Sequence, residues 1–236
     1  MISFAPPADY ARIQQVKSFR ELVTTPFRSG VNALCWARTL PGNFSEVVEQ
    51  LDASEGITTL DDSRLMALPV SVGGRIAIDI LLEDLRLLRD HDLAPVLNCV
   101  NGYPRDENPG PVPTDVFSFH TDSATVEIDT WLCTYHGPAS EGLRNDQAQR
   151  CVDLPETRAA LLKLFSGTDD NDFREYLNEN CYDLHYAPVP DAHPFSFGMG
   201  NLWRIAVEYP GSPVPPCIHR APATLPGDPP RLLLIS

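Results

Sequence analysis

His120-Thr121-Asp122 and the distant His219 are the residues of this chain whose types could do chemistry together. Two imidazoles and one carboxylate form the set that holds non-haem Fe(II) on one face and leaves other positions open. Histidine supplies a neutral nitrogen at pH 7, and aspartate a charge that offsets part of the metal's. In a strand or its extension, residues i and i+2 point to one side, so His120 and Asp122 can aim at a common point. His219 would complete the set from a strand far along the chain. Arg231 then opens the last apolar run, Arg231-Leu232-Leu233-Leu234-Ile235. A guanidinium there can grip a carboxylate through two parallel hydrogen bonds. A lone His-x-Asp arises often by chance and reads equally as a turn pair. The stretch Cys217-Ile218-His219-Arg220-Ala221-Pro222, a Gly-Asp turn and the Arg231 run favour the metal reading.

The elements that would position these residues divide the chain in two. With 236 residues, 43% of them hydrophobic, it suits a single domain over 1–236. Residues 1–93 read as a helical and mixed support region. Helical spacing runs from Tyr10 to Leu22, Val31–Trp36 reads as a strand, and Asn43 could cap a helix through Leu51 with Glu46 at the capping-box position. The strongest helix spans Val72 to Asp90, apolar on one side and charged on the other. From Ala94 the pattern becomes short apolar runs between Pro/Gly turns: 94–100, 116–119, 126–135, 184–189, 202–207, 216–218 and 231–235. Helices over 155–165 and 172–180 fall in a helical insertion at about 144–181. The expected fold class is α+β: a double-stranded β-helix (jelly roll, cupin-like) core over 94–236 with flanking N-terminal helices.

Bulk properties exclude several function classes. The formal net charge of −14 repels phosphate backbones, so no nucleic-acid partner is expected. No apolar run approaches the ~18 residues of a membrane span. Met1-Ile2-Ser3-Phe4-Ala5 lacks the basic start and apolar core of a signal peptide, which points to the cytoplasm. The six cysteines are scattered without a C-x-x-C and are expected to be free thiols. There is no Gly-rich phosphate loop, no G-x-G-x-x-G and no serine elbow.

His-x-Asp, a long gap, a strand-borne His and a later Arg resemble the Fe(II)/2-oxoglutarate-dependent dioxygenases. Val31–Arg38, Leu132–Pro138 and His219–Pro222 are similar to signature stretches of a bacterial family of uncharacterised proteins, over roughly residues 30–235. The resemblance to the dioxygenases implies Fe(II), 2-oxoglutarate and O2 as cofactors, with His120, Asp122 and His219 as metal ligands. It implies Arg231 as the anchor of the distal carboxylate, and hydroxylation, desaturation or cyclisation as the reaction. The acidic chain with a few internal arginines hints at a small amino-acid-like or carboxylated substrate. An aspartate at the ligand position argues against halogenation.

Other residues compete for roles. Arg220 is a second anchor candidate, although on a strand it faces away from His219. Asn98 is a polar side chain in an apolar run and could bond the cosubstrate. Arg204, Tyr135 and Trp131 are candidates for lining the substrate pocket, against an edge ion pair for Arg204 and core packing for the aromatics. His136, His185 and His193 form a weaker rival metal set. His91 reads as the end of a helix. The loop 101–115 is either a lid or a plain connection. Two alternative functions share the His120/Asp122/His219 cluster: a non-catalytic cupin-like metal-binding or sensory module, and a triad oxygenase that needs no 2-oxoglutarate.

Overall fold

The computed structural model describes residues 7, 9–51, 55–105, 110–224 and 227–236. Two mostly antiparallel sheets and six α-helices make a mixed α+β fold. The larger sheet runs β1 (Ile13–Val16), β2 (Ala33–Trp36), β11 (Leu202–Ala206), β6 (Asp129–His136), β13 (Arg231–Ile235), β4 (Val96–Asn101), β3 (Gly56–Leu60). The smaller runs β10 (Phe195–Ser196), β7 (Glu141–Leu143), β12 (Ile218–Arg220), β5 (Phe119–His120), β9 (His185–Pro188), β8 (Ala148–Arg150). Among the named strands of the described residues only β1 and β2 pair in parallel, with isolated parallel bridges at Ser123–Glu208 and Thr134–Met199.

The larger sheet is buried on both faces. Its outer face carries Leu34, Leu97, Cys99, Trp131, Cys133, Tyr135, Leu202, Leu232 and Leu234, which share one core with the N-terminal helices. Those helices are α1 (Phe19–Thr24), α2 (Phe44–Gln50), α3 (Asp62–Met66) and the long α4 (Val72–Arg89), whose Ile78, Leu81, Leu85 and Leu88 form its buried stripe. The inner face carries Ala33, Cys35, Leu132, Trp203, Ile205 and Leu233, which meet Phe195, Phe197 and Cys217 from the smaller sheet. A satellite core lies under α5 (Pro155–Phe165) and α6 (Asn171–Glu179), with Leu161, Phe173 and Leu177 at its centre.

Local chemistry explains the helix starts. Asn43 caps α2 through the Glu46 N–H. Glu46 does not close the expected capping box; its carboxylate accepts the Ser71 N–H and hydroxyl, both at 2.6 Å, tying α2 to the start of α4. The expected helix from Tyr10 is two elements. Ile13 and Val16 belong to β1, which pairs with β2, and α1 begins only after Ser18 accepts the Glu21 N–H. Apolar residues three apart fit the helical period and fall on opposite faces of a strand, so pairing with β2 overrode the local pattern. The expected strands over 116–119 and 126–135 shift to Phe119–His120 and Asp129–His136.

One polar network is buried within the helix-side core. Arg38 holds Asp84 by two bonds of 2.7 and 2.8 Å, and Tyr135 donates its hydroxyl to the same carboxylate at 2.6 Å. Breaking a buried pair leaves an uncompensated charge, which costs about 3–5 kcal/mol. Asp84→Ala should therefore lower unfolding free energy by about 3–5 kcal/mol in urea denaturation. A loss under about 1 kcal/mol would mean the pair is solvated.

Candidate metal centre

Strand register places the histidines. His219 on β12 pairs directly with His120 on β5 and, on its other side, with Gly142 on β7; His120 in turn pairs with His185 on β9. Directly paired residues share a sheet face, so Gly142, His219, His120 and His185 form one row. The His120 and His219 rings lie 4.7 Å apart between centroids, and those of His120 and His185 5.6 Å. Gly142 leaves room in this row: a Cβ there would lie 2.3 Å from the Phe195 ring and 2.7 Å from that of Phe197.

Asp122 reaches the row from beyond the end of β5. Its carbonyl accepts the Glu208 N–H at 2.8 Å, and the Glu208 carbonyl accepts the Ala124 N–H at 2.8 Å. That crossing ties the segment to the end of the larger sheet, where Thr130 donates its hydroxyl to Asp122 Oδ2. Asp122 Oδ2 lies 3.8 Å from His219 Nε2. One donor atom from each of His120, Asp122 and His219 lies within 4.8 Å of the others.

The surroundings prepare these atoms as ligands. His120 Nδ1 lies 2.8 Å from the Ser118 carbonyl, which can only accept, so Nδ1 carries the proton and Nε2 offers its lone pair. His219 repeats the arrangement at 3.4 Å from the Cys217 carbonyl. Burial, with the charge of His219 nearby, lowers the His120 pKa from 6.5 to about 4, which keeps its ring neutral at pH 7. Burial pulls Asp122 upward, but the charge of His219 and the Thr130 hydrogen bond outweigh it, and the net shift is down. The set thus includes a neutral His120 nitrogen and an ionised Asp122 carboxylate. The Cys217 thiol is pushed up to about 12 by burial and by Asp122, so it stays protonated beside the cluster.

Arg231 lies on the inner face of β13 and is 1% exposed. It donates to the Pro138 carbonyl at 2.7 Å, the Tyr103 hydroxyl at 3.0 Å and the Ser140 hydroxyl at 3.0 Å. All three acceptors are neutral, and no carboxylate among the described residues pairs with it. Gly137 makes the approach possible, with φ at 79° and an absent Cβ that would lie 2.9 Å from the Pro230 carbonyl. Ser140 stands two residues before Gly142, the partner of His219. Arg231 also lines a cavity of about 580 Å³ with Tyr103, Arg105, Phe117, Val100 and Asn101.

The remaining expected site residues lie elsewhere. Trp131, Tyr135 and Arg204 are on the outer, helix-side face, a correction that follows from strand alternation. Trp131 packs on Phe19, and Tyr135 stacks on Phe44 and bonds Asp84. Arg204 pairs with Asp129 at 2.6 Å and donates to the Leu22, Val23 and Thr25 carbonyls at the end of α1. Arg220 faces away from the cluster, paired with Glu141 at 2.7 Å and lying over Phe119. Asn98 accepts the Thr59 hydroxyl across the sheet at 2.9 Å. His136 lies by the Pro230 carbonyl and His193 is in an exposed loop, so neither joins a metal set. Of loop 101–115, residues 106–109 lie outside the described residues; Tyr103 and Arg105 face the Arg231 cavity. Among the described residues no helix is long and apolar enough to cross a membrane, and all six cysteines are free.

Residues that sequence reasoning passed over include Thr130, Ser118, Ser140 and Tyr103. The parity of β6 was the available signal: once Trp131 faces the helices, Thr130 must face the cluster.

The shifted histidine gives a pH prediction. Between pH 6.5 and about 4 the unfolded chain takes up a proton at His120 that the folded chain refuses, so stability falls as pH drops through that window. His185, also shifted down by burial, acts in the same direction, whereas Asp122 contributes only at lower pH. Urea midpoints should decline from pH 7 to 4.5, less steeply in His120→Asn, and more steeply with a divalent metal bound. A flat profile in the wild type would contradict a neutral, buried His120. Against other proteins, no family model, no curated protein and no solved structure matches the chain.

Proposed function

We propose that the protein is a non-haem Fe(II)- and 2-oxoglutarate-dependent oxygenase acting on a small molecule. The single observation that carries this reading is Arg231, a buried guanidinium held by three neutral oxygens, with no carboxylate partner among the described residues. Burying an unpaired charge is costly, so an anion is the natural complement. The charge count agrees. A divalent metal, one carboxylate ligand and one guanidinium leave two positive charges, which a dicarboxylate neutralises.

The strand order supports the finer fold. Taken in chain order, β4, β5, β6, β7, β10, β11, β12 and β13 are eight strands, arranged 1-8-3-6 in the larger sheet and 2-7-4-5 in the smaller. That interleaving is the order of a double-stranded β-helix. On this reading β1, β2 and β3 extend the larger sheet, β8 and β9 extend the smaller, and α5 and α6 sit between the fourth and fifth strands of the roll.

The donor set fits Fe(II): imidazole and carboxylate without thiolate, on a face with open positions. His120, His219 and Asp122 would hold the ion, with the Ser118 and Cys217 carbonyls fixing the rings and Thr130 the carboxylate. Arg231 would take the distal carboxylate of 2-oxoglutarate, steadied by Tyr103 and Ser140. When bound, iron with the keto-acid and O2 supplies the oxidant for an unactivated C–H bond, with succinate and CO2 as co-products. The protein's own part is to bind, orient and keep bulk water from these groups.

Anaerobic Fe(II) titration tests the reading. A weak visible band near roughly 500 nm should appear only with Fe(II) and 2-oxoglutarate together, as expected of a keto-acid chelated at an open facial site. Arg231→Ala should abolish it at keto-acid concentrations that saturate the wild type. His120→Ala and His219→Ala should lose metal binding and succinate formation. Wild-type succinate yields in either variant would sink the assignment. Tight metal binding without the band would move the protein to the cupin-like module or to a triad oxygenase independent of the keto-acid.

A further inference from the structure

A second cavity, of about 210 Å³, opens beside the cluster on the side of His185. His120, Asp122, Thr121, His185, Asp115 and Leu184 are in its wall, and no lysine or arginine lines it. Two buried side-chain oxygens among the described residues lack any hydrogen-bond partner, Thr121 Oγ1 and Asp183 Oδ1. Thr121 is in the wall of this cavity; Asp183 is not, and its other carboxylate oxygen accepts from Asn178 Nδ2 at 3.4 Å. Thr121 is 2% exposed, sits between two of the ligands and donates its N–H to the Leu184 carbonyl at 3.0 Å. Asp183 directly precedes Leu184. His185 is 5% exposed, and its Nδ1 is engaged with the Ser118 hydroxyl at 2.9 Å, which leaves its Nε2 edge for the cavity. A buried oxygen without a donor costs about 1–3 kcal/mol, so Thr121 Oγ1 in this wall, beside the Nε2 edge of His185, marks a place where a ligand brings the donor.

We propose that this cavity receives an amine-bearing end of the substrate, with Thr121 and His185 as its specificity-determining contacts. The inference rests on the oxygenase reading for the identity of the reaction, but not for the binding itself. An ammonium carries three N–H donors and no acceptor, which complements a wall of hydroxyl and carboxylate oxygens without a cation. An anionic head group meets Asp115 and, in the metal-free protein, Asp122 as well. Arg231 in the other cavity selects the opposite charge. The segment 114–117 walls both spaces, through Thr114, Asp115 and Val116 on one side and Phe117 on the other.

Ligand-observed NMR with ethanolamine and propionate, two probes of similar size and opposite charge, tests this. In metal-free protein, saturation transfer should reach ethanolamine and not propionate. Thr121→Val keeps the shape and removes the orphan hydroxyl, so it should weaken ethanolamine binding about tenfold while raising the thermal midpoint. His185→Gln should weaken it in the same direction. Unchanged ethanolamine affinity in both variants, or preferential binding of propionate, overturns the proposal. Mn(II) separates the two readings. Ethanolamine that binds wild type and escapes Thr121→Val supports the cavity even if Mn(II) fails to relax its protons, a failure that counts against the metal centre alone. Mn(II) bound at the cluster with no ethanolamine binding overturns the cavity and spares the metal centre.

Discussion

Burial of the larger sheet on both faces is the constraint on which the rest of this structure depends. Each of its strands must divide its residues between a helical layer and the interior shared with the smaller sheet. On β6 the division is strict: Trp131, Cys133 and Tyr135 face the helices, and Leu132 faces inward with Thr130, whose hydroxyl reaches Asp122. On β13 the same alternation sends Leu232 and Leu234 outward, and Leu233 inward with Arg231. A slip of one residue in either strand would exchange these sets, placing an arginine among the leucines of α4 and an indole beside the cluster. The apolar pattern of the sheet therefore fixes which polar groups can take part in chemistry.

The smaller sheet works by register rather than by burial alone. Its strands at the cluster are two and three residues long, too short to hold the row by their own pairing. Their position is secured from outside. The crossing at Asp122 and Glu208 ties β5 to the larger sheet, and Arg150 fixes Glu208 by bonds of 2.6 and 2.8 Å. Asn145, bonded to Tyr10 and to the Pro216 carbonyl, ties the segment after β7 to the one before β12. The histidine row is a product of these ties, and it would loosen with any of them.

Much of this was legible in the sequence, for reasons that can be located. The helices α2, α4, α5 and α6 stand where capping residues and long apolar periods put them, and β13 spans the expected five residues. The three residues His120, Asp122 and His219 come together because i, i+2 geometry and an adjacent strand suffice for it. What was not legible depends on partners. β3, β7, β8 and β10 are short and weakly apolar, and they are strands because a neighbour offers hydrogen bonds. Residues 10–16 carry a helical spacing, and Ile13–Val16 is a strand only because β2 offers it a partner. The aromatics Trp131 and Tyr135 read correctly as one face, but which face looks at the cluster is set by where the helices pack.

The distribution of unpaired polar groups gives the strongest physical separation of scaffold from site. Away from the cluster, several half-buried and buried arginines have carboxylate partners: Arg38 with Asp84, Arg150 with Glu208, Arg204 with Asp129 and Arg220 with Glu141. Arg231 is more deeply buried than most of these and has only neutral acceptors, and the two orphaned oxygens both flank the start of β9, beside His120. Each such group destabilises the free protein, and a chain under selection for folding alone would have exchanged them for apolar residues. On the proposed reading the missing partners are ligands: an anion on the side of Arg231, a hydrogen-bond donor on the side of Thr121 and a metal ion at His120, Asp122 and His219.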